Sequence, residues 1–438
     1  MGKSGSFHIQ TVGPTNYYFN FGDSKDNLYF SPVLFWFAHT YHQPVYAWYE
    51  RRLAENDLPR MNDMQMMLDD TLDRFFGLLI AWYDDSGNSL SYEDLPLDSH
   101  FRGEAAVGAL RSGWSEDAIY LGFKGGYNQA DHGHMDIGSF VLDALGVRWA
   151  LDLGGDNYDL PGYFDFSGPR LQYFRCNNFG HNTLVLDGAL QNRMARAAVT
   201  DFFTSPDSAA AKVNMTQAYQ AQAKKALRTF STVNGRTAVR VQDDIEFKKA
   251  GSTARWGMIT AAEIELQGGR AVLKQDGKFL IAELPEPAGA SFEILSTKPA
   301  NAKEAQNHGT AMLAVNASAG NSTVLRISVQ LTPSLEPAQV VLHSPRAPAL
   351  FEMVANHPNP FNAGTTLTFS LNQDASVVLQ VFDVQGRVVY ANLQNLGAGP
   401  QSVRFEADHW PSGFYFYKLI GTTNSRSEVY TGKMLLIK

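Results

Sequence analysis

The chain has 438 residues, 44% of them hydrophobic and 18% charged, and a formal net charge of −8 at pH 7. That length holds two or three domains with sizeable cores, and the acidic balance offers no general attraction to nucleic acid or anionic membranes. No apolar run is long enough to span a bilayer, and the single cysteine, Cys176, excludes an internal disulfide framework.

The N-terminal segment MGKSGSFHIQTVGPTNYYF lacks the apolar core of a signal peptide. Residues 28–84 predict helices. LYFSPVLFWFAHTYHQPVYAWYERRLAE places aromatic and aliphatic residues at helical spacing, with Pro32 near a start and Pro44 as a break. NDMQMMLDDTLDRFFGLLIAWY predicts a second amphipathic helix, with Asn62 or Asp63 as N-cap and Met64, Met66 and Met67 as core. So few helices cannot close a core of their own and are expected to be the tail of a larger helical structure.

From about residue 100 the pattern changes. AAVGALRSGW, AIYLGFKGG, SFVLDALGVRWALDLGG and HNTLVLDG are short apolar runs between Gly-rich turns. TAVRVQDDIEF, ARWGMITAAEIELQG, RAVLKQDGKFLIAEL and TVLRISVQL continue the series, so residues 96–335 predict a large antiparallel β-sandwich. The proline-bearing stretch LTPSLEPAQVVLHSPRAPAL reads as a linker, placed at 336–352. Residues 353–438 carry TTLTFSL, SVVLQVFDV, RVVYANL, QSVRFEA, GFYFYKLI and KMLLIK, the strands of a small Ig-like sandwich, with Gly386 in a hairpin turn. The fold class expected is therefore α+β multidomain: helices over 1–95, then two β-sandwiches.

Residues 131–140, DHGHMDIGSF, set two histidines two apart with flanking aspartates. On a strand they share a face; on a loop they can converge on one point. A divalent metal needs further ligands, and Asp152 in WALDLGGDNY and His181 in NNFGHNTLVLDG both lie where an apolar run meets a turn. His134, Asp152 and His181 would make a two-histidine, one-carboxylate set that suits zinc. Two polar loop histidines with ordinary hydrogen-bond partners is the alternative.

The run HGHMDIGSFVLDALGVRWALDLGGDNYDLPGYF followed by HNTLVLDG resembles the heparinase II/III-like polysaccharide lyases, an α/α toroid followed by a multi-sheet β-sandwich. The NFGDS and SPVLFWFA segments are similar to the end of the family's toroid. The resemblance places the family's metal ligands on His134, Asp152 and His181, its active-site histidine on His132, and a tyrosine at the substrate cleft near Tyr163, with Tyr158 close by. It implies β-elimination on a uronate glycan, an acidic polysaccharide as partner, and a Zn2+ ion in a structural role. Asp136 is expected to fix the tautomer of a ligating histidine. Asn128, Gln129 and Arg175 are candidate contacts to sugar hydroxyls or carboxylates. The family draws a principal catalytic tyrosine and an Asn-His pair from the toroid, and only about 130 residues precede the cluster here. None of Tyr17, Tyr18, Tyr41, Tyr46 and Tyr49 stands in a matching motif, so a truncated toroid is expected.

HPNPFN with its following TT, the FDVQGRVV hairpin, PSGFYFYKL and the terminal KMLLIK resemble the type IX secretion sorting domain in its FlgD-like Ig form. That implies the type IX machinery as a partner and a secreted or cell-surface destination. Two other functions compete with the lyase. One is a metal-dependent glycan hydrolase with Asp131 or Asp136 as base. The other is a glycan-binding or structural surface protein that keeps the metal without catalysis.

Overall fold

The computed structural model describes residues 4–28, 30–57, 71–166, 168–336, 350–423 and 427–438. They form two compact units, Met1–Gln339 and Val340–Lys438.

The first unit opens with α1 (Ser4–Gln10), α2 (Val33–Tyr41), α3 (Pro44–Asp57) and α4 (Thr71–Trp82). The expected aromatic helix is thus two helices. The first ends at His42, left-handed at φ 52°, and Pro44 begins the second at a position where a missing N–H costs nothing. Leu34, Phe35, Ala38, Tyr46, Ala47 and Tyr49 pack with Ile9 and Leu79 into one aromatic-rich core. The caps expected at Asn62 or Asp63, and Met64, Met66 and Met67, lie outside the described residues.

The predicted β region follows. β1 (Ser99–Phe101), β2 (Val107–Arg111), β3 (Tyr120–Lys124), β5 (Phe140–Ala144) and β6 (Val147–Ala150) form an antiparallel sheet in the order β1-β2-β3-β5-β6. From β2 to β6 these strands are buried on both faces, which is why they read as continuous apolar runs rather than alternations. β4 (Gly126–Tyr127) pairs with β8 (Arg196–Ala197) beside them. A second sheet has eight strands. At its centre β11 (Ala223–Val233) and β12 (Ala238–Phe247) alternate buried and half-buried positions, as strands with one solvated face do. A four-stranded sheet contains β7 (Leu184–Leu186) and β13 (Thr253–Thr260). Phe123, Phe140, Trp149, Phe230 and Trp256 are fully buried in the core these sheets share, each worth about 2–3 kcal/mol of burial. Segments adjoining the five-stranded and four-stranded sheets carry the histidine cluster: His132 and His134 precede β5, Asp152 follows β6 and His181 precedes β7.

The second unit is one seven-stranded assembly, and each of the six predicted strands is present. A seventh strand, Phe351–Asn362, includes the HPNPFN stretch. Proline donates nothing to a ladder, and the pairing with the next strand shifts register between His357 and Asn362, so the prolines occupy the irregular stretch of a strand. Gly386 lies in the predicted hairpin turn at φ 78°, with its N–H on the Asp383 carbonyl at 3.0 Å.

Candidate active site

Two irregular segments meet at the site. One, following β4, carries His132, Gly133 and His134. The other carries Gly22 and Asp23, more than a hundred residues earlier. The Asp23 N–H donates to the His132 carbonyl at 3.1 Å. Gly22 has φ 62°, and a Cβ there would lie 2.6 Å from the His132 carbonyl oxygen, so the close approach of the two chains requires glycine. The segment bearing His181 is tied in by Asn182, whose Nδ2 donates to the Phe140 carbonyl at 2.7 Å and the Leu151 carbonyl at 3.0 Å. Beneath, the buried Arg228 of β11 donates to the carbonyls of Gly138 and Asn182, both at 2.8 Å. Its remaining nitrogens grip Asp243 of β12 in a two-point bridge at 2.8 and 2.7 Å. One sheet arginine thus pins two site loops.

Asp23 is the centre of the cluster. Its Oδ1 accepts from Tyr163 Oη at 2.5 Å and from His134 Nε2 at 3.0 Å. Its Oδ2 accepts from Arg170 at 2.8 Å and from His132 Nδ1 at 2.9 Å. Burial alone would favour the neutral acid, but the bonds from His134 and Tyr163, the charge of His134 and the bond from His132 hold the carboxyl well below the usual carboxylate range. The bond to His132 fixes that ring with Nδ1 protonated and Nε2 free to accept.

A second chain of contacts runs inward. Asp152 accepts from His181 Nδ1 at 2.8 Å and from the Gly154 N–H at 2.9 Å. His181 Nε2 faces His134 Nδ1 at 3.2 Å, and both rings are fully buried. Burial lowers the His134 pKa more than Asp23 raises it. For His181 burial also opposes the charge, but the Asp152 charge and hydrogen bond win and raise it. Burial works against the Asp152 anion, and the His181 charge and bond nonetheless lower its pKa. Nε2 of His134 and Nδ1 of His181 are each directed at a carboxylate, so the two inner nitrogens share one proton when His181 is charged and offer two lone pairs to a cation when both rings are neutral. Among the described residues no group of three His, Cys, Asp or Glu converges as a metal cage. Asp152 reaches His181 through the nitrogen turned away from His134, the place of a carboxylate that orients a ligand.

The remaining expected residues fall on and off the site. Asp136 was expected to orient a metal-ligating histidine. It instead pairs with Lys124 at 2.5 Å and accepts from the Gly22 N–H at 3.3 Å, and Asp23 takes the orienting position on His134. Fully buried and paired, Asp136 also cannot serve a hydrolase as base. Asn128 is buried and donates to Gln191 and the Asn192 carbonyl, both at 3.0 Å. Arg175 is spent on Asn307 and on the carbonyls of Leu153 and Gly155. Gln129 holds the Phe166 carbonyl at 3.1 Å. Tyr163 is buried, its hydroxyl taken by Asp23 and by the Asp156 N–H at 2.9 Å. Cys176 lies beneath it, its thiol pushed up to about 12 by burial, which makes it a poor nucleophile.

A cavity of about 430 Å³ opens beside the cluster, lined among others by Asp23, Lys124, Tyr127, Asp131, His132 and Tyr158. Of the two tyrosines lining it, Tyr158 is 46% exposed and has its ring stacked toward His132 with centroids 6.4 Å apart, while Tyr127 lies under the Arg196 guanidinium. Burial and the Asp23 charge raise the Tyr158 pKa, so the phenol keeps its proton at neutral pH.

Residues 356–435 match the secretion system C-terminal sorting domain, which marks the chain for the cell surface or for release through the type IX system. Among solved structures, the chain is similar to the heparan sulfate lyase HepC from Pedobacter heparinus, at 14% identity and a TM-score of 0.52 over 89% of this chain and 51% of that one. A heparinase III gene product is similar at 14% identity and a TM-score of 0.52, over 92% of this chain and 51% of its own. At such identity the likeness is one of fold, and the chain spans about half the length of these lyases. No curated protein matches the chain. Residues 103–327, about half of the chain, match the model of the heparinase II/III-like C-terminal domain, and the chain belongs to that family.

Proposed function

We propose that this chain is part of an exported polysaccharide lyase that cleaves a uronate-containing glycan by β-elimination. The observation that carries this is the pairing of His132, oriented through Nδ1 by Asp23, with Tyr158 in one cavity. His132 Nε2 takes the proton alpha to the uronate carboxylate. The electrons of that C–H bond form the C4–C5 double bond as the C4–O bond breaks, and Tyr158 gives its proton to the leaving sugar oxygen. A positioned base and a still-protonated acid on either side of the reacting carbons are what the elimination needs. Tyr163, expected as a catalytic group, acts here through Asp23 as a positioning residue.

A structural zinc ion would take His134 Nδ1 and His181 Nε2 as two of its ligands, with Asp152 behind His181. The ion would tie the loops bearing those residues together; elimination asks for no activated water. The test is formation of an unsaturated uronate, which absorbs in the ultraviolet, from alginate, heparan sulfate and hyaluronan. His132→Ala and Tyr158→Phe should each slow product formation by about 100-fold or more. A His132→Ala chain working at the full rate would overturn the assignment.

A further inference from the structure

We propose that Arg102 and Arg196 form a binding subsite for the anionic group of a neighbouring sugar in the glycan, one wall away from the reaction cavity. This rests on the lyase reading for the identity of the polymer. The net charge of −8 requires some local source of attraction for a polyanion, and the reaction cavity does not supply it. There Lys124 is matched by Asp136, Asp23 by Arg170 and Glu104 by Arg196, while Asp131 adds negative charge to the lining.

The adjoining cavity differs. It measures about 560 Å³ and is lined by His100, Arg102, Gly103, Gly126 and Arg196 together with apolar groups. The two cavities share one thin partition. Glu104, Ala105 and Tyr127 line the first, and their chain neighbours Gly103, Ala106 and Gly126 line the second. The partition is two hydrogen-bonded segments, with the Tyr127 N–H on the Glu104 carbonyl and the Gly125 N–H on the Ala106 carbonyl, both at 2.7 Å. A Cβ on Gly126 would lie 2.3 Å from the Glu104 carbonyl oxygen, so the wall cannot be thicker than backbone there. A glycan crossing it sets one sugar at His132 and the next over the arginines.

Arg196 is preorganised. Its guanidinium lies 3.6 Å from the centroid of the Tyr127 ring, and one nitrogen reaches Glu104 at 3.2 Å. Arg102 is exposed and makes no ion pair or hydrogen bond with any described residue. Planar guanidinium groups take a carboxylate or a sulfate in a two-point contact, and lysine does not reproduce it.

The test is affinity electrophoresis of the full chain through gels holding alginate, heparan sulfate or hyaluronan, beside the elimination assay. Arg102→Gln and Arg196→Gln should each weaken retention about tenfold, with Arg102→Lys recovering only part and Lys298→Gln, an exposed cation elsewhere, changing nothing. Loss in alginate gels assigns the subsite to a carboxylate; loss confined to heparan sulfate gels assigns it to a sulfate. Unchanged retention of both arginine variants, or no retention of the unsubstituted chain in any gel, overturns the subsite. Arginine-dependent retention without unsaturated product would instead keep the subsite and overturn the lyase reading.

Discussion

Asp23→Asn tests the architecture of the site. Four donors converge on the two oxygens of Asp23, two on each. An amide keeps one acceptor and turns the other into a donor, so it faces either Tyr163 and His134 or Arg170 and His132 with N–H against N–H or O–H. Each lost bond to a charged group costs about 1.5–3 kcal/mol. Arg170 keeps the Tyr163 carbonyl at 3.1 Å, which softens its loss, and the net expectation is about 3 kcal/mol. A folding unit of Met1–Gln339 has an unfolding entropy near 0.7 kcal/mol per degree, so the melting temperature should fall by about 4 °C. Circular dichroism melts read this directly, with elimination rates on the same samples falling further because the His132 tautomer is no longer fixed. A variant melting within a degree of the parent would show that Asp23 does not organise the cluster.

Three other outcomes are expected. His134→Ala should lower bound zinc, measured by elemental analysis, together with thermal stability; full zinc content would remove His134 as a ligand. Arg228→Met should cost about 3–5 kcal/mol because Asp243 is left buried without its partner, and adding Asp243→Leu should restore part of it, the Gly138 and Asn182 carbonyls still lacking their donor; additive losses in that cycle would contradict the pairing. Burial depresses the His8 pKa from 6.5 to about 4. The unfolded chain therefore binds the proton first, and the stability His8 contributes is complete above pH 6.5 and is lost as pH falls toward 4. Its contact with water reduces the effect to about 2 kcal/mol, and identical pH profiles for the parent and His8→Gln would refute it.

The strands were legible because buried strands leave short apolar runs and half-solvated ones leave alternations, and both patterns survive in the order along the chain. That His134, His181 and Asp152 lie near one another was legible from the spacing and the family resemblance together, but the structure puts Asp152 behind His181 rather than beside the two inner nitrogens. Asp23 was not legible. Its segment, NFGDS, has no periodicity, and its four partners come from beyond residue 130, so only the tertiary fold could assign it. Its signal was the glycine before it, placed where two chains touch. Tyr158 and Tyr163 share one irregular loop, and nothing local tells which ring faces the cavity and which turns inward. Asn128 and Arg175 show the ordinary fate of polar loop residues, consumed by neighbouring carbonyl and amide oxygens.

The most direct test of the central claim is the mass of the fragments released from a uronate oligosaccharide. β-Elimination leaves the new non-reducing end one water lighter than hydrolysis would, with a C4–C5 double bond. The account predicts that lighter fragment from the parent chain and its loss in His132→Ala and Tyr158→Phe. Fragments carrying the added water, or an oligosaccharide left whole by the parent chain, would contradict it.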